Sequence, residues 1–322
     1  MNTNVTAESL AVDVRAFLSF KRAMGMSYRR AEFVLNSFMC FIGEQYGDRL
    51  VPLQQAVTLW ATRIEDRKAV TVGNEFGVVR QLCLYRRRSD PRAFVPEHAV
   101  APVKASVFMP YIFSRDEVLA LIEAATRHEG RSMWGGMLRT LSLVLYCTGM
   151  RLGEAARLRI GDVDLYRRTL TVQRSKGRSR ILPIRDDLVA ELQQYLRCRD
   201  EILAANGVGA SPAFFIRRNA TALTLRAASD VLRRLLRDLG LKPPRGRAGA
   251  RPYEFRHAFA VHRLTEWAKE GVDVHAQLPM LSAYLGHVNV LGTEVYLKAT
   301  PELLELASQR FERHARGRRR RP

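Results

Sequence analysis

The chain has 322 residues, enough for about two domains of ~150 residues each. Its 47% hydrophobic content permits a sizeable core and argues against global disorder. Lys and Arg number 52 against 32 Asp and Glu, a formal net charge of +20, and so basic a surface attracts polyanions, nucleic acid first among them. Most of that excess falls in residues 106–322. The cysteines, Cys40, Cys83, Cys147 and Cys198, lie far apart with no C-x-x-C pair. That spacing excludes a thiolate zinc site of the usual kind and fits reduced, buried thiols. The first residues lack the basic and then apolar pattern of a signal peptide, and the most apolar window, 138–146, is interrupted by Arg139 and too short to span a bilayer. A soluble cytoplasmic protein is expected, with no membrane contact.

Residues 1–105 read as wholly helical. Ala11, Val14, Phe17 and Leu18 repeat at a helical period and stop at Gly25. A second helix is expected over 28–45, with Phe33, Val34, Phe38, Phe41 and Ile42 on its apolar face. A third is centred on 56–64 and a fourth on 71–87. Arg80, Arg86, Arg87 and Arg88 come late in the fourth, either as DNA contacts of a clamping module or as a solvated charged face. A stretch at 89–111 with four prolines and little periodicity reads as a linker.

The second part begins with an N-cap signature, Ser114 followed three residues later by Glu117. The mostly apolar helix expected over 133–146 should be central to the core. Three β-prone runs follow, at 158–160, 169–172 and 180–184, with a turn at Gly177 between the last two. Helical patterns return at 185–203, 221–240, 254–269, 278–285 and 301–315. The expected fold class is mainly α with a small antiparallel β-sheet. No phosphate-binding G-x-x-x-x-G-K-[ST] loop occurs, so nucleotide hydrolysis is not indicated.

Several segments of this second part carry chemistry-bearing residues. CTGMRLGEAARL sets Arg151 in a T-G-x-R-x-x-E context, and QRSKGRSRILPI sets Lys176 at a hairpin tip beside Arg178 and Arg180. RPYEFRHAFAVH holds Arg256 at a helix start. LSAYLGHVNVLGTEVY contains an L-G-H with His287, and Tyr296 nine residues beyond it. In this order the motifs resemble the tyrosine recombinases of the phage-integrase type, over roughly residues 110–300. The pattern H-x-L-R-H-x-x-A is matched except that Tyr253 stands where the family has its leading histidine.

The resemblance implies two-domain organisation: a helical core-binding, SAM-like DNA-binding domain at 1–105 with a linker to about 111, a catalytic domain at 112–300, and a C-terminal helix with basic tail at 301–322. It implies a DNA-cleaving and rejoining integrase of a mobile element, acting through a 3′-phosphotyrosine and using no metal or nucleotide cofactor. The catalytic set would be Arg151, Lys176, Tyr253, Arg256, His287 and the nucleophile Tyr296, with Arg80, Arg86, Arg87, Arg178 and Arg180 as DNA-binding candidates. Its partners would be double-stranded DNA and, on paired sites, a homo-tetramer, alone or beside related recombinases, nucleoid-associated in a prokaryote. Other readings stay open: a topoisomerase IB-like nicking-closing enzyme, or a catalytically weak or inactive DNA-binding protein of the same fold.

The physical chemistry agrees with the resemblance. Two arginines offer bidentate, permanently charged donors to a phosphate. A lysine on a hairpin can protonate a departing 5′-oxygen, and a tyrosine can hold the phosphorus covalently. Tyr253 is the departure with consequences, since a phenol with a pKa of ~10 is a poor base at neutral pH. His257, four residues on, is a candidate to compensate for Tyr253, since the two share a helix face if Tyr253 is itself helical. Glu154 reads as structural, orienting Arg151. His257, His262 and His275 read as structural by default, as do Trp60, Trp134 and Trp267. The stretch between Arg256 and His287 is long for the family and has no assigned task.

Overall fold

The structure is a computed structural model that describes residues 4–63, 69–97, 110–175, 178–246, 248–298, 305 and 308, with only the backbone of Arg174, Ser175 and Arg178. The chain divides into two units, Met1–Val107 and Phe108–Pro322. Among the described residues no helix is long and apolar enough to cross a membrane.

The first unit holds α1 (Ala7–Ala23), α2 (Arg29–Tyr46), α3 (Leu53–Thr62) and α4 (Ala69–Arg86). Thr6 and Ser9 form a reciprocal capping box that starts α1. The apolar stripes of α1 and α2, among them Leu10, Phe17, Leu35, Phe38 and Ile42, meet Trp60, Val79 and Leu82 in one core. One feature departs from the wholly helical expectation. Strand β1 (Asn4–Val5) pairs antiparallel with β2 (Val51–Pro52). Two residues are too few to show a strand period, and what holds the pair is burial of Val5 and Val51. It clips the start of α1 to the start of α3.

In the second unit α5 (Arg115–Thr126) begins at the expected Ser114–Glu117 capping box and packs on α6 (Gly135–Thr148). Leu138, Leu141, Val144 and Leu145 of α6 are fully buried, each contributing about 1.5–3 kcal/mol. The short α7 (Leu152–Ala155) leads to a three-stranded antiparallel sheet of β3 (Val163–Asp164), β4 (Thr169–Ser175) and β5 (Arg178–Pro183), in that spatial order. Then come α8 (Asp186–Ala205), α9 (Leu225–Asp238), α10 (Glu254–Lys269), α11 (Val274–Leu285) and α12 (Leu291–Glu294), ending in a 3-10 turn at Val295–Lys298.

The first β-prone run is corrected by the structure. Residues 158–160 are not a strand of the sheet: Arg159 makes one isolated bridge to Ala213, and Ile160–Asp162 is a 3-10 turn. The Asp162 carboxylate accepts from the Arg159 backbone N–H at 2.9 Å, and such a local side-chain bond outcompetes strand pairing. Helix α11 also starts earlier than the expected residue 278, because the Asp273 carboxylate caps it by accepting from the N–H groups of His275 and Ala276. The unassigned stretch after Arg256 is therefore the body of α10, a short turn and the start of α11. Of the helix expected at 301–315, only Glu305 and Ser308 are described, both helical. The rest lies outside the described residues.

Candidate active site

Two tight turns create the site, and each depends on a glycine. Gly149 ends α6 at φ +61, where a Cβ would come within 2.5 Å of the Phe259 ring. Gly286 ends α11 at φ +70, where a Cβ would meet the Arg180 guanidinium at 2.9 Å. Both need the left-handed conformation that only glycine adopts at no steric cost. Arg151 and His287 follow these turns within two residues, so the two reversals aim them.

Arg256, in the first turn of α10, is 1% exposed. Its Nη1 donates to the Gly149 carbonyl at 2.9 Å and its Nη2 to the Leu285 carbonyl at 2.7 Å. One guanidinium thus ties the two glycine turns together, while its buried Nε has no hydrogen-bond partner among the described residues. Arg151 is one-fifth exposed and donates from Nη1 to Glu154 Oε1 at 2.7 Å. Burial, then the neighbouring Arg151 charge, pushes the Arg256 pKa downward. Two near cations that repel each other make a site poised for an anion.

Tyr296 sits on the 3-10 turn, 1% exposed, in a small core built from Ala260, Val261, Leu264, Leu281 and Leu285. Burial raises its pKa, opposed by the Arg256 charge. The His287 ring stacks beside it with centroids 6.3 Å apart, and Nδ1 of His287 lies 2.7 Å from Oγ1 of the fully buried Thr293. The His257 ring meets Tyr296 edge-on at 5.3 Å. Tyr253 has helical backbone angles (φ −66, ψ −22), so it does share a face with His257, and their rings are 4.9 Å apart.

Arg151, Arg256, His287, Tyr296 and Tyr253 are therefore gathered in the second unit. Lys176, expected at a hairpin tip, lies outside the described residues. Of Arg178 only the backbone, in β5, is described. Arg180 points inward instead of outward: it forms a two-pronged pair with Glu154 (Nη2 to Oε2 2.7 Å, Nη1 to Oε1 3.3 Å) and donates from Nε to the Tyr284 carbonyl at 2.9 Å. Strand parity carried this signal, because Arg180 shares a face with the buried Leu182. Thr293 had no sequence signal, since its contact with His287 arises only when the chain turns back between them, whereas the i,i+3 spacing of Arg251, Glu254 and His257 was a local signal that the sequence reading did not use.

In the first unit Arg86 pairs with Asp13 at 2.7 Å and Arg80 donates to the Pro96 carbonyl at 2.9 Å. Arg88 lies over the Phe20 ring at 4.7 Å, and Arg87, which is exposed, donates to the Pro91 carbonyl at 3.3 Å. The basic end of α4 is largely occupied in holding its own domain.

Arg180→Gln separates the two readings of that residue. As a buried partner of Glu154 its loss should destabilise the chain by about 3 kcal/mol in denaturant titration, with an unchanged salt slope for DNA binding. A phosphate contact would instead lower that slope by about 0.9.

Solved structures share this architecture across both units. The recombinase XerH bound to a palindromic difH substrate in a post-cleavage complex superposes with a TM-score of 0.67 at 17% identity, covering 95% of this chain and 97% of that one. The Tn1549 transposon integrase in complex with transposon right-end DNA gives 0.65 at 16% identity, over 94% and 99%. The fold is thus that of the DNA recombinases. The profile of the phage integrase family matches residues 112–302. A putative integrase/recombinase of Sinorhizobium fredii is 30% identical over 93% of this chain and 96% of its own length. The tyrosine recombinase XerD of Mycobacterium leprae is 32% identical over 64% of this chain and 62% of its own. The chain belongs to the phage integrase family and is a tyrosine-type site-specific recombinase.

Proposed function

We propose that this recombinase cleaves and rejoins duplex DNA through a covalent 3′-phosphotyrosine on Tyr296, with no metal or nucleotide cofactor. The observation that carries the reading is the convergence of Arg151, Arg256 and His287 around the buried Tyr296 hydroxyphenyl ring. Arg151 and Arg256 hold the non-bridging oxygens and offset the charge that grows on them in the transition state. The Tyr296 oxygen forms a bond to phosphorus as the bond to the 5′-oxygen breaks, and Lys176 protonates that leaving oxygen. His287, fixed by Thr293, hydrogen-bonds a non-bridging oxygen. Religation reverses the path when another strand's 5′-hydroxyl attacks.

The first unit serves as the helical core-binding domain that contacts DNA. Segment 301–315 joins protomers into a homo-tetramer on paired sites, with a mobile-element end or chromosomal junction as substrate in a prokaryotic cytoplasm. The complexes of XerH and the Tn1549 integrase with DNA support duplex DNA as the partner.

A nicked suicide duplex carrying the cognate site tests the reading. The expected result is a covalent protein–DNA adduct that resists denaturant and forms undiminished in EDTA. Cleavage that stops in EDTA, or cleaved DNA with no adduct, would remove the proposed mechanism. An adduct followed only by relaxation of supercoils, with no exchange between duplexes, would reassign the enzyme as a nicking-closing protein.

A further inference from the structure

A phenol at position 253 leaves the nucleophile without the base that the chemistry calls for. Attack by Tyr296 requires its proton to go somewhere as the bond to phosphorus forms. Tyr253 itself is 39% exposed, and its hydroxyl offers no basic nitrogen to take the proton. The structure supplies another acceptor one helical turn further on.

His257 is 8% exposed, its Nδ1 is buried, and that nitrogen has no hydrogen-bond partner among the described residues. A buried ring nitrogen without a partner costs free energy, and a catalytic role is one reason for a protein to carry that cost. The other nitrogen, Nε2, faces Glu254 Oε2 at 3.4 Å. Glu254 is 1% exposed and is held in turn by Arg251, whose Nε donates to Oε1 at 2.7 Å. We assign the ring proton to Nε2, the side of the carboxylate, which leaves a lone pair on Nδ1. The same imidazole packs edge-on against Tyr296 at 5.3 Å and against Tyr253 at 4.9 Å. The arrangement Arg251–Glu254–His257 thus seats a buried imidazole with its ring edge-on to the ring of the nucleophile.

Resting on the Tyr296 reading above, we infer that His257 is the proton acceptor for Tyr296, relocated by one turn of α10 from position 253. As the Tyr296 oxygen attacks phosphorus, its O–H bond breaks and the proton passes to His257 Nδ1, directly or through one water. The imidazolium so formed is stabilised by Glu254, and it returns the proton to Tyr296 when the phosphotyrosine bond is broken in religation. No other reactant is needed for the balance. Tyr253 acts as a cover that keeps bulk water off the imidazole.

The electrostatics fit this role. Burial, then the charges of Arg251 and Arg256, pushes the His257 pKa down to about 4, so the acceptor is unprotonated in the free enzyme at any physiological pH. An incoming phosphate neutralises the effect of Arg256 and raises the basicity of the ring when it is needed. The groups that face His257 are Tyr253, Glu254, Arg251 and Arg256 from its own segment and Tyr296 from the 3-10 turn.

The test is single-turnover adduct formation on the suicide duplex at saturating DNA, over about pH 5 to 8, with four proteins. Wild type should hold its rate well below pH 6.5. His257→Phe should bind DNA normally and form the adduct ~10²-fold more slowly. Tyr253→His combined with His257→Phe should regain most of that loss, with a new acid limb near the ordinary histidine pKa of ~6.5. His257→Asn, which keeps a polar but non-basic side chain, should be as slow as His257→Phe. Titrations common to all four, including His287, cancel in the comparison.

Adduct formation by His257→Phe at the wild-type rate would overturn the inference. So would a slow His257→Phe that the second substitution fails to rescue, since that result marks a packing role. Absence of any adduct from wild type would instead defeat the phosphotyrosine reading, so the two failures are distinguishable.

Discussion

Tyr296→Phe will bind its DNA site as wild type does and form no covalent adduct. Phenylalanine fills the same space, so the ring keeps its edge-on contact with His257, its stacking beside His287 and its seat among Val261, Leu264 and Leu281. Only the hydroxyl is lost, and with it the atom that attacks phosphorus. Stability should change by no more than about 1 kcal/mol, because a single hydroxyl beside a guanidinium is removed without leaving a cavity. Denaturing gels read the adduct and mobility shifts read the binding. Cleavage by this variant would move the nucleophile elsewhere. Tyr253 is the exposed alternative, whereas Tyr284 donates its own hydroxyl to the Pro183 carbonyl.

Arg256→Ala is expected to show the other large effect, and to show it twice. From sequence, loss of cleavage with little else is the expectation. The structure adds a cost in stability, because Arg256 alone bonds the carbonyls of both Gly149 and Leu285 from a fully buried position. Truncation leaves both carbonyls unpaired beside a void, a loss of about 3 kcal/mol. In a unit of this size that lowers Tm by about 6–12 °C. Adduct formation should fall by ~10²–10³ even at temperatures where the protein is folded, because a fixed charge on the phosphorane is gone. Arg256→Lys should recover part of the stability but little of the rate. One ammonium cannot reach two carbonyls and a phosphate oxygen in the fork geometry of a guanidinium. Arg151→Ala provides the contrast: Arg151 is one-fifth exposed and bonds chiefly to Glu154, so its rate loss should come with a smaller fall in Tm. Equal rates for wild type and Arg256→Ala, measured below both melting temperatures, would remove Arg256 from the chemistry.

The amino-acid sequence by itself determined most of the helices. Local signals specify them: the 3.6-residue stripes of α1 and α2, the Ser114–Glu117 box at α5 and the period of α10 are properties of neighbours in the chain. It also singled out Arg151, Arg256, His287 and Tyr296, which stand in short motifs whose spacing reads directly. Tertiary structure alone decided what those side chains touch. Arg180, one arginine among several on a basic hairpin, became the inward clamp on Glu154 because the far end of α11 supplies its second acceptor, 104 residues away. Thr293 gained its role when a turn brought it onto His287. His257 looked like an ordinary core histidine. Whether its second nitrogen has a partner depends on every element packed around it, and no local pattern encodes that sum. Pairing of residues 4–5 with residues 51–52 and the turn at Ile160–Asp162 were hidden for a related reason. Such short elements take their stability from burial and from single hydrogen bonds, contacts that exist only after the helices have assembled.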